Sequence, residues 1–316
     1  MDEFIKAQNL FKYFDTPRGA LHAVDDVSFT IKRGQTLGVV GESGCGKSTL
    51  GRTMLRLLDI TDGSIFFEGE DITRYSKKQL HNFRKEAQLI FQDPYASLNP
   101  RLTVSEIIAE PLIVNKKYKN RNELDKAVFS MMEKVGLSSK LVNTYPHELD
   151  GGRRQRIGVA RALVLNPKFV VCDEPVSALD VSIQAQILNL LMDMQEEMQL
   201  TYMFITHDLS VVKHISDEIA VMYLGKMVEK APSKSLFENP KHPYTKALLS
   251  AIPLPDLSRR GKKIELLKGE VSNPIEPPIS CRFVSRCPIA KEECSRNNME
   301  LRKCGDDHFV ACDYAF

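Results

Sequence analysis

The stretch Thr36-Leu-Gly-Val-Val-Gly-Glu-Ser-Gly-Cys-Gly-Lys-Ser-Thr49 decides the fold. An apolar run, Thr36–Val40, leads straight into a glycine-rich loop, and Lys47–Leu58 continues with a helical pattern. Strand, loop and helix in that order are the context in which G-x-x-x-x-G-K-[ST] works as a phosphate cradle. Gly41, Gly44 and Gly46 let the loop fold tightly, so that backbone N–H groups point at phosphate oxygens. Lys47 adds a point charge for β- and γ-phosphates, and Ser48 offers a hydroxyl to Mg²⁺. Thr49 reinforces this from the first helical turn. Ser43 and Cys45 complete the nucleotide-contacting loop, Cys45 as a small residue and not a thiolate ligand. Alone, the pattern specifies a nucleoside triphosphate binder and no more.

Further along, the apolar run Phe169-Val-Val-Cys172 delivers Asp173 and Glu174 at its C-terminal end. Ligands bind at that edge in open parallel sheets. Asp173 is placed to hold a magnesium shell, and Glu174 to orient or polarise an attacking water. A helix at Arg153–Leu165, an amphipathic helix near Val181–Met198 and a strand at Tyr202–Thr206 flank this run. That rhythm predicts a parallel sheet covered on both faces. The opening third reads as short β-like stretches, Phe4–Leu10, Ala23–Ile31 and Ser64–Glu68. Residues 104–142 are helical in pattern. Beyond Ala231 the character changes to prolines at 232, 240, 243, 253, 255, 274, 277 and 278, which predicts a separate, loop-rich C-terminal module.

Among 316 residues the net charge is only +2, so nothing argues for nucleic acid as a partner. No apolar run approaches the ~18–20 residues a membrane span needs. The start, Met-Asp-Glu-Phe-Ile-Lys, has no basic-then-apolar signal pattern. A role at a membrane therefore requires docking on other chains.

In order, 41–49, Gln92, 149–156, 169–174, Ser177-Ala-Leu-Asp180 and His207 resemble the Walker A, Q-loop, signature, Walker B, D-loop and H-loop of ABC ATPases. The resemblance covers about residues 3–232. It implies an α/β fold: a P-loop NTPase (RecA-like) parallel sheet with an N-terminal antiparallel β subdomain. The nucleotide-binding domain would span 1–232, with a helical subdomain inserted at about 93–162, and a Cys-containing C-terminal module would span 233–316. It further implies a head-to-tail dimer, each ATP lying between the loop of one domain and the signature of the other. Gln92 would then sense Mg²⁺ and a transmembrane partner, and His207 would contact the γ-phosphate. Phe14 would stack on adenine, with Tyr13 as the alternative. Asp150, Gly151, Gly152 and Asp180 would reach nucleotide from the signature and the D-loop.

Two longer identities narrow the branch. Phe91-Gln-Asp-Pro-Tyr-Ala-Ser-Leu-Asn-Pro100 and Pro240-Lys-His-Pro-Tyr-Thr-Lys-Ala-Leu-Leu-Ser250 resemble the ATP-binding subunits of oligopeptide and dipeptide permeases, and of relatives that import nickel or glutathione. The implied partners are a second ABC ATPase subunit, two transmembrane permease subunits and an extracytoplasmic substrate-binding protein. The implied location is peripheral, on the cytoplasmic face of the membrane. Peptide is the expected cargo, with nickel and glutathione left open. His242 reads as a structural or helix-start residue. The spacing Cys281-x5-Cys287-Pro-x5-Cys294-x17-Cys312 resembles that branch too, where related subunits carry a 4Fe–4S cluster. Zinc and simple packing are the alternatives. Arg282, Arg286 and Lys291 would offset a cluster's negative charge, with Cys304 a bystander.

The signature departs from the family's Leu-Ser-Gly-Gly-Gln: here it reads Leu149-Asp-Gly-Gly-Arg153. As an N-cap, Asp150 equals serine, so the helix forms. Its carboxylate, however, competes for N–H groups meant for phosphate and faces a polyanion. Two unit charges 4 Å apart at an effective dielectric near 20 repel by about 4 kcal/mol. Arg153 is the nearest compensating cation. The expectation is a heterodimer with one active ATP site and one degenerate site. The alternative is a regulatory subunit that binds ATP without turnover, against which stand Lys47, Asp173, Glu174 and His207.

Overall fold

The computed structural model describes residues 3–251 and 273–315; the prolines at 253 and 255 lie outside the described residues. In chain order the strands are β1 (Glu3–Thr16), β2 (Gly19–Lys32), β3 (Thr36–Val40), β4 (Asp62–Phe67), β5 (Glu70–Asp71), β6 (Ala87–Ile90), β7 (Phe169–Asp173), β8 (Thr201–Ile205), β9 (Glu218–Tyr223), β10 (Lys226–Pro232), β11 (Arg302–Gly305) and β12 (His308–Val310). They fall into two compact units.

The first unit comprises Lys32–Gln35 and Arg74–Ile205. Its strands β6, β7 and β8 run parallel, with Ile90 opposite Cys172 and Asp173 opposite Ile205. Every residue of β7 and β8 is buried, which is why both read as continuous apolar runs and not as alternating ones. The stretch expected to be helical folds as Val104–Val114 and Arg121–Lys134, followed by a single 3-10 turn at Ser139–Leu141. Thr103 and Glu106 form a reciprocal capping box that starts the first of these. The signature helix, Gly151–Leu163, begins two residues earlier than its apolar pattern indicated, because its cap is Asp150 itself. The helix Val181–Met198 lies where its spacing put it.

The second unit comprises Glu3–Ile31, Thr36–Thr73 and the described part of Thr206–Phe316. Strands β2, β1, β4 and β5 form an antiparallel sheet in that order. In the other sheet β3 pairs in parallel with β9, Val40 opposite Val221, and β10 follows antiparallel. Then β12 pairs with β10, Lys230 opposite Phe309, and β11 closes the edge. Residues from the proline-rich C-terminal stretch thus extend the same sheet that delivers the glycine-rich loop. Glu229, fully buried on β10, anchors this junction. Its carboxylate accepts the N–H groups of Lys241 and His242 at 2.7 and 2.9 Å, and meets His308 Nε2 at 2.7 Å. No helix among the described residues is long and apolar enough to cross a membrane.

His242 starts the helix Pro243–Ser250, its Nδ1 accepting the Tyr244 N–H at 3.1 Å. Burial pushes its pKa down to about 3. The unfolded chain takes up a proton near pH 6.5 that the folded chain refuses, so acidification below that value favours unfolding. His242→Asn keeps a cap but removes the titration. The melting temperature of the wild type should therefore fall more steeply between pH 7 and 5 than that of His242→Asn. Parallel slopes would refute this.

Candidate functional site

The glycine-rich loop is built in the second unit. Gly46, at φ +103°, caps the helix Lys47–Met54, and a Cβ there would come within 1.9 Å of the Ala23 carbonyl. Only glycine fits. That helix has no side-chain cap and no acidic residue in its first turn, so its N-terminal charge is left for an anion. Lys47 is 5% exposed, and its Nζ donates to the carbonyls of Gly41 at 2.8 Å and Glu42 at 3.0 Å. Burial pushes the Cys45 thiol up, consistent with a packed neutral side chain. Backbone donors around a buried ammonium are the chemistry a polyphosphate requires, and these residues fit ATP.

On β1, Tyr13 is already occupied. Its ring stacks on His22 at 3.8 Å and its hydroxyl donates to Asp25 at 3.1 Å. Phe14 has the Lys12 ammonium 4.7 Å from its ring centre. His207 is exposed, one residue before Asp208, which caps the helix Leu209–Ile215 by accepting the Ser210 N–H at 2.8 Å.

The first unit holds the acidic residues. Asp173 ends β7 at 2% exposure. Glu174 follows at φ +47°, a left-handed conformation that costs a non-glycine residue and is kept only where its surroundings enforce it. Here its N–H donates to the Ile205 carbonyl at 2.9 Å, and its carbonyl accepts the Ser177 hydroxyl at 3.1 Å. Gln92 Nε2 donates to Glu174 Oε2 at 2.9 Å, so the structure joins these two predicted residues directly. Asp180 is exposed at the start of Val181–Met198 and forms no side-chain cap bond there.

In the signature, Asp150 Oδ1 accepts the Arg153 N–H at 2.8 Å, and Arg153 Nη1 lies 3.4 Å from Asp150 Oδ2. The cap bond uses the N–H of Arg153, not those of Gly151 or Gly152. Arg153 does reach the carboxylate, but both side chains are more than half exposed and the pair is weak. A Cβ on Gly152 would meet Ile183 at 2.8 Å, so the helix start packs tightly there. Sequence reasoning missed Arg154 and Arg161. Arg154 is 6% exposed, donates to the carbonyls of Pro146 and His147, and lies 3.7 Å over the Tyr95 ring. Arg161 donates to the Ser97 carbonyl at 2.6 Å. These two cations tie the signature helix to the segment that follows Gln92.

Comparison with known proteins places the chain in a family. The family model "ABC transporter" matches residues 24–177, and "Oligopeptide/dipeptide transporter, C-terminal region" matches 228–294. The chain is 52% identical to the oligopeptide transport ATP-binding protein AppF of Bacillus subtilis, over 95% of this chain and 91% of that protein. This chain belongs to the ABC transporter ATP-binding proteins of the oligopeptide/dipeptide branch. It is also 52% identical to the oligopeptide transport ATP-binding protein OppF of Haemophilus influenzae, over 95% of this chain and 90% of that one. Among solved structures it resembles the dimeric ATP-binding cassette MJ0796 in a post-hydrolysis state bound to ADP and Pi. That match has a TM-score of 0.67 and 28% identity, covering 73% of this chain and 99% of that one.

The iron–sulfur expectation is corrected. Among the described residues no group of three or more His, Cys, Asp or Glu is arranged to hold a metal ion. Nor do the names of these relatives mention a cluster. Cys294 sits in an apolar cluster with Met299 and Ala311, against which Cys281, Val284, Leu301 and Tyr314 pack. Burial raises the thiols of Cys281 (to about 11), Cys287 and Cys312, which keeps them neutral. The cations expected to balance a cluster are engaged elsewhere: Arg282 with Asp25, Arg286 with Glu42, and Lys291 over the Tyr314 ring. Apolar packing accounts for Cys294 and Cys281.

The cap and the charge of Asp150 are separable. Asp150→Ala should cost about 1 kcal/mol in urea unfolding, because the Arg153 N–H loses its acceptor, whereas Asp150→Ser should cost almost nothing. Equal losses in the two variants would contradict the cap assignment.

Proposed function

We propose that the chain is the ATP-hydrolysing subunit that powers uptake of di- and oligopeptides through an ABC transporter. The observation that carries the hydrolytic part is Glu174, fixed in a strained conformation at the end of β7 with its carboxylate held by Gln92. A residue kept at such cost at a ligand-binding sheet edge is placed for chemistry. In this reading Gly41, Ser43, Gly44, Cys45, Gly46, Lys47, Ser48 and Thr49 cradle the triphosphate, and Phe14 packs on the base. Ser48, Gln92 and Asp173 would hold Mg²⁺, which would neutralise charge on the β- and γ-phosphates. Glu174 orients the attacking water, His207 steadies the γ-phosphate, and Asp180 contributes from the D-loop.

The domain reading divides the chain into a nucleotide-binding domain at 1–232, with its helical part at about 93–162, and a C-terminal module at 233–316. The spans of the two matching family models support it. The partners are a second ATPase subunit and two transmembrane permease subunits, met at the cytoplasmic face of the membrane, with an extracytoplasmic substrate-binding protein serving the same transporter from the other side. AppF and OppF, by their names, serve oligopeptide transport, which favours peptide over nickel or glutathione.

The second ATPase subunit is unequal to this one. Asp150, Gly151 and Gly152 present a γ-phosphate with a carboxylate where the family has a hydroxyl, and the exposed Arg153 offsets that charge only in part. The site this signature completes is weak, while the site built on Lys47 and Glu174 turns over once a partner supplies an ordinary signature. ATPase assays test this. Glu174→Gln should lose 10²–10⁴-fold in kcat while still binding ATP, an order-of-magnitude expectation for removing such a group. The chain alone should hydrolyse ATP slowly, and Asp150→Ser should accelerate it. Fast hydrolysis by the chain alone, with no gain from Asp150→Ser, would reject the asymmetry.

A further inference from the structure

We infer that Arg286 and Tyr244, both from the C-terminal module, are positioning residues for the phosphate loop and act through Glu42. This deepens the ATPase reading and rests on it. Four bonds, on the N–H, the carbonyl and the carboxylate, converge on one loop residue. The Glu42 N–H donates to the Tyr244 hydroxyl at 2.9 Å, and the Glu42 carbonyl accepts the Lys47 ammonium at 3.0 Å. The Glu42 carboxylate takes a two-pronged bond from Arg286, Nη1 to Oε2 at 2.8 Å and Nη2 to Oε1 at 3.0 Å. Such a forked guanidinium–carboxylate pair fixes geometry as well as charge. The ammonium that meets phosphate is therefore seated on a residue whose N–H and carboxylate are bonded to residues about two hundred positions away in sequence.

The clamp is itself held rigidly. Arg286 ends the 3-10 turn Val284–Arg286, and its side chain is 7% exposed. Just before that turn, Phe283 is 1% exposed and packs on Tyr223 and Tyr244 with ring centres 5.2 and 5.4 Å away. Tyr244 is fully buried on the helix that His242 caps. The neighbouring Arg282 makes a parallel attachment, pairing with Asp25 and donating to the Leu224 carbonyl. None of these residues matches the nucleotide motifs of the loop or of the β7 edge.

The pairing also solves an electrostatic problem. A glutamate inside a polyphosphate cradle opposes the ligand. Arg286 cancels that charge and keeps the carboxylate turned onto the module. Without Arg286 the carboxylate stands unpaired within the anion site. A scaffold that merely stabilised the fold would not make that loss reversible by neutralising Glu42.

The test is Mg·ATP affinity and steady-state kinetics of the full chain, with thermal melts to verify folding. Arg286→Ala should weaken ATP binding about tenfold, the equivalent of ~1.4 kcal/mol. Arg286→Lys should recover part of this, lacking the fork. The double variant Arg286→Ala/Glu42→Gln should return to within about twofold of wild type, because the unpaired carboxylate is gone. Arg302→Ala, which breaks an exposed ion pair to Asp313 in the same module, should leave affinity unchanged. Tyr244→Phe removes one hydroxyl and should raise KM for ATP at constant kcat, and it decides the matter if Arg286→Ala does not fold. Wild-type affinity in Arg286→Ala, a double variant as weak as the single, or an unmoved KM in Tyr244→Phe would overturn the inference. Failure of the wild type itself to bind ATP would sink the ATPase reading instead.

Discussion

A loop that gathers backbone donors around a buried ammonium is held together by whatever accepts that ammonium. In this chain the acceptors are the Gly41 and Glu42 carbonyls under Lys47, and the loop's turn at Gly46 exists because no side chain fits beside Ala23. Burying an uncompensated ammonium costs several kcal/mol, so these carbonyls have to be fixed in place. Much of the second unit serves that end. β3 and β9 set the height of the loop, and the C-terminal residues reach back to grip the Glu42 peptide and side chain.

The acidic edge in the first unit follows a different logic. Its residues are held through strain and short polar contacts, with Glu174 forced into a left-handed conformation and bridled by Gln92 and Ser177. The signature helix is joined to the segment after Gln92 by Arg154 and Arg161. A push on that segment therefore bears on both Gln92, the hydrogen-bond partner of Glu174, and the signature helix. Asp150 is a sound cap for its own helix, and the proposed asymmetry rests on the charge it brings there.

How much was legible follows from the range of the forces. Strands β3 and β7 and the helix Val181–Met198 were readable because burial on both faces, or one amphipathic face, writes a continuous local pattern. The signature helix start was legible through its cap, Asp150, and not through the apolar period, which put it two residues late. The Glu42–Arg286 pair was invisible, since nothing in the local pattern around either residue registers a partner so distant. The cysteines misled for a related reason. Spacing reports which thiols could meet, but not that Cys294 lies among Met299 and Ala311, or that Arg282 and Arg286 are committed to Asp25 and Glu42. The reach of Arg153 onto Asp150, undecidable from sequence, is set by one helical turn.

In the proposed heterodimer this subunit contributes a competent phosphate loop and an impaired signature. Orthovanadate trapping in the assembled transporter, with labelled nucleotide counted per pair of ATPase subunits, addresses it most directly. Unequal sites give a single trapped ADP per pair, located on the Lys47 loop of this chain. Equal trapping on both subunits would contradict it.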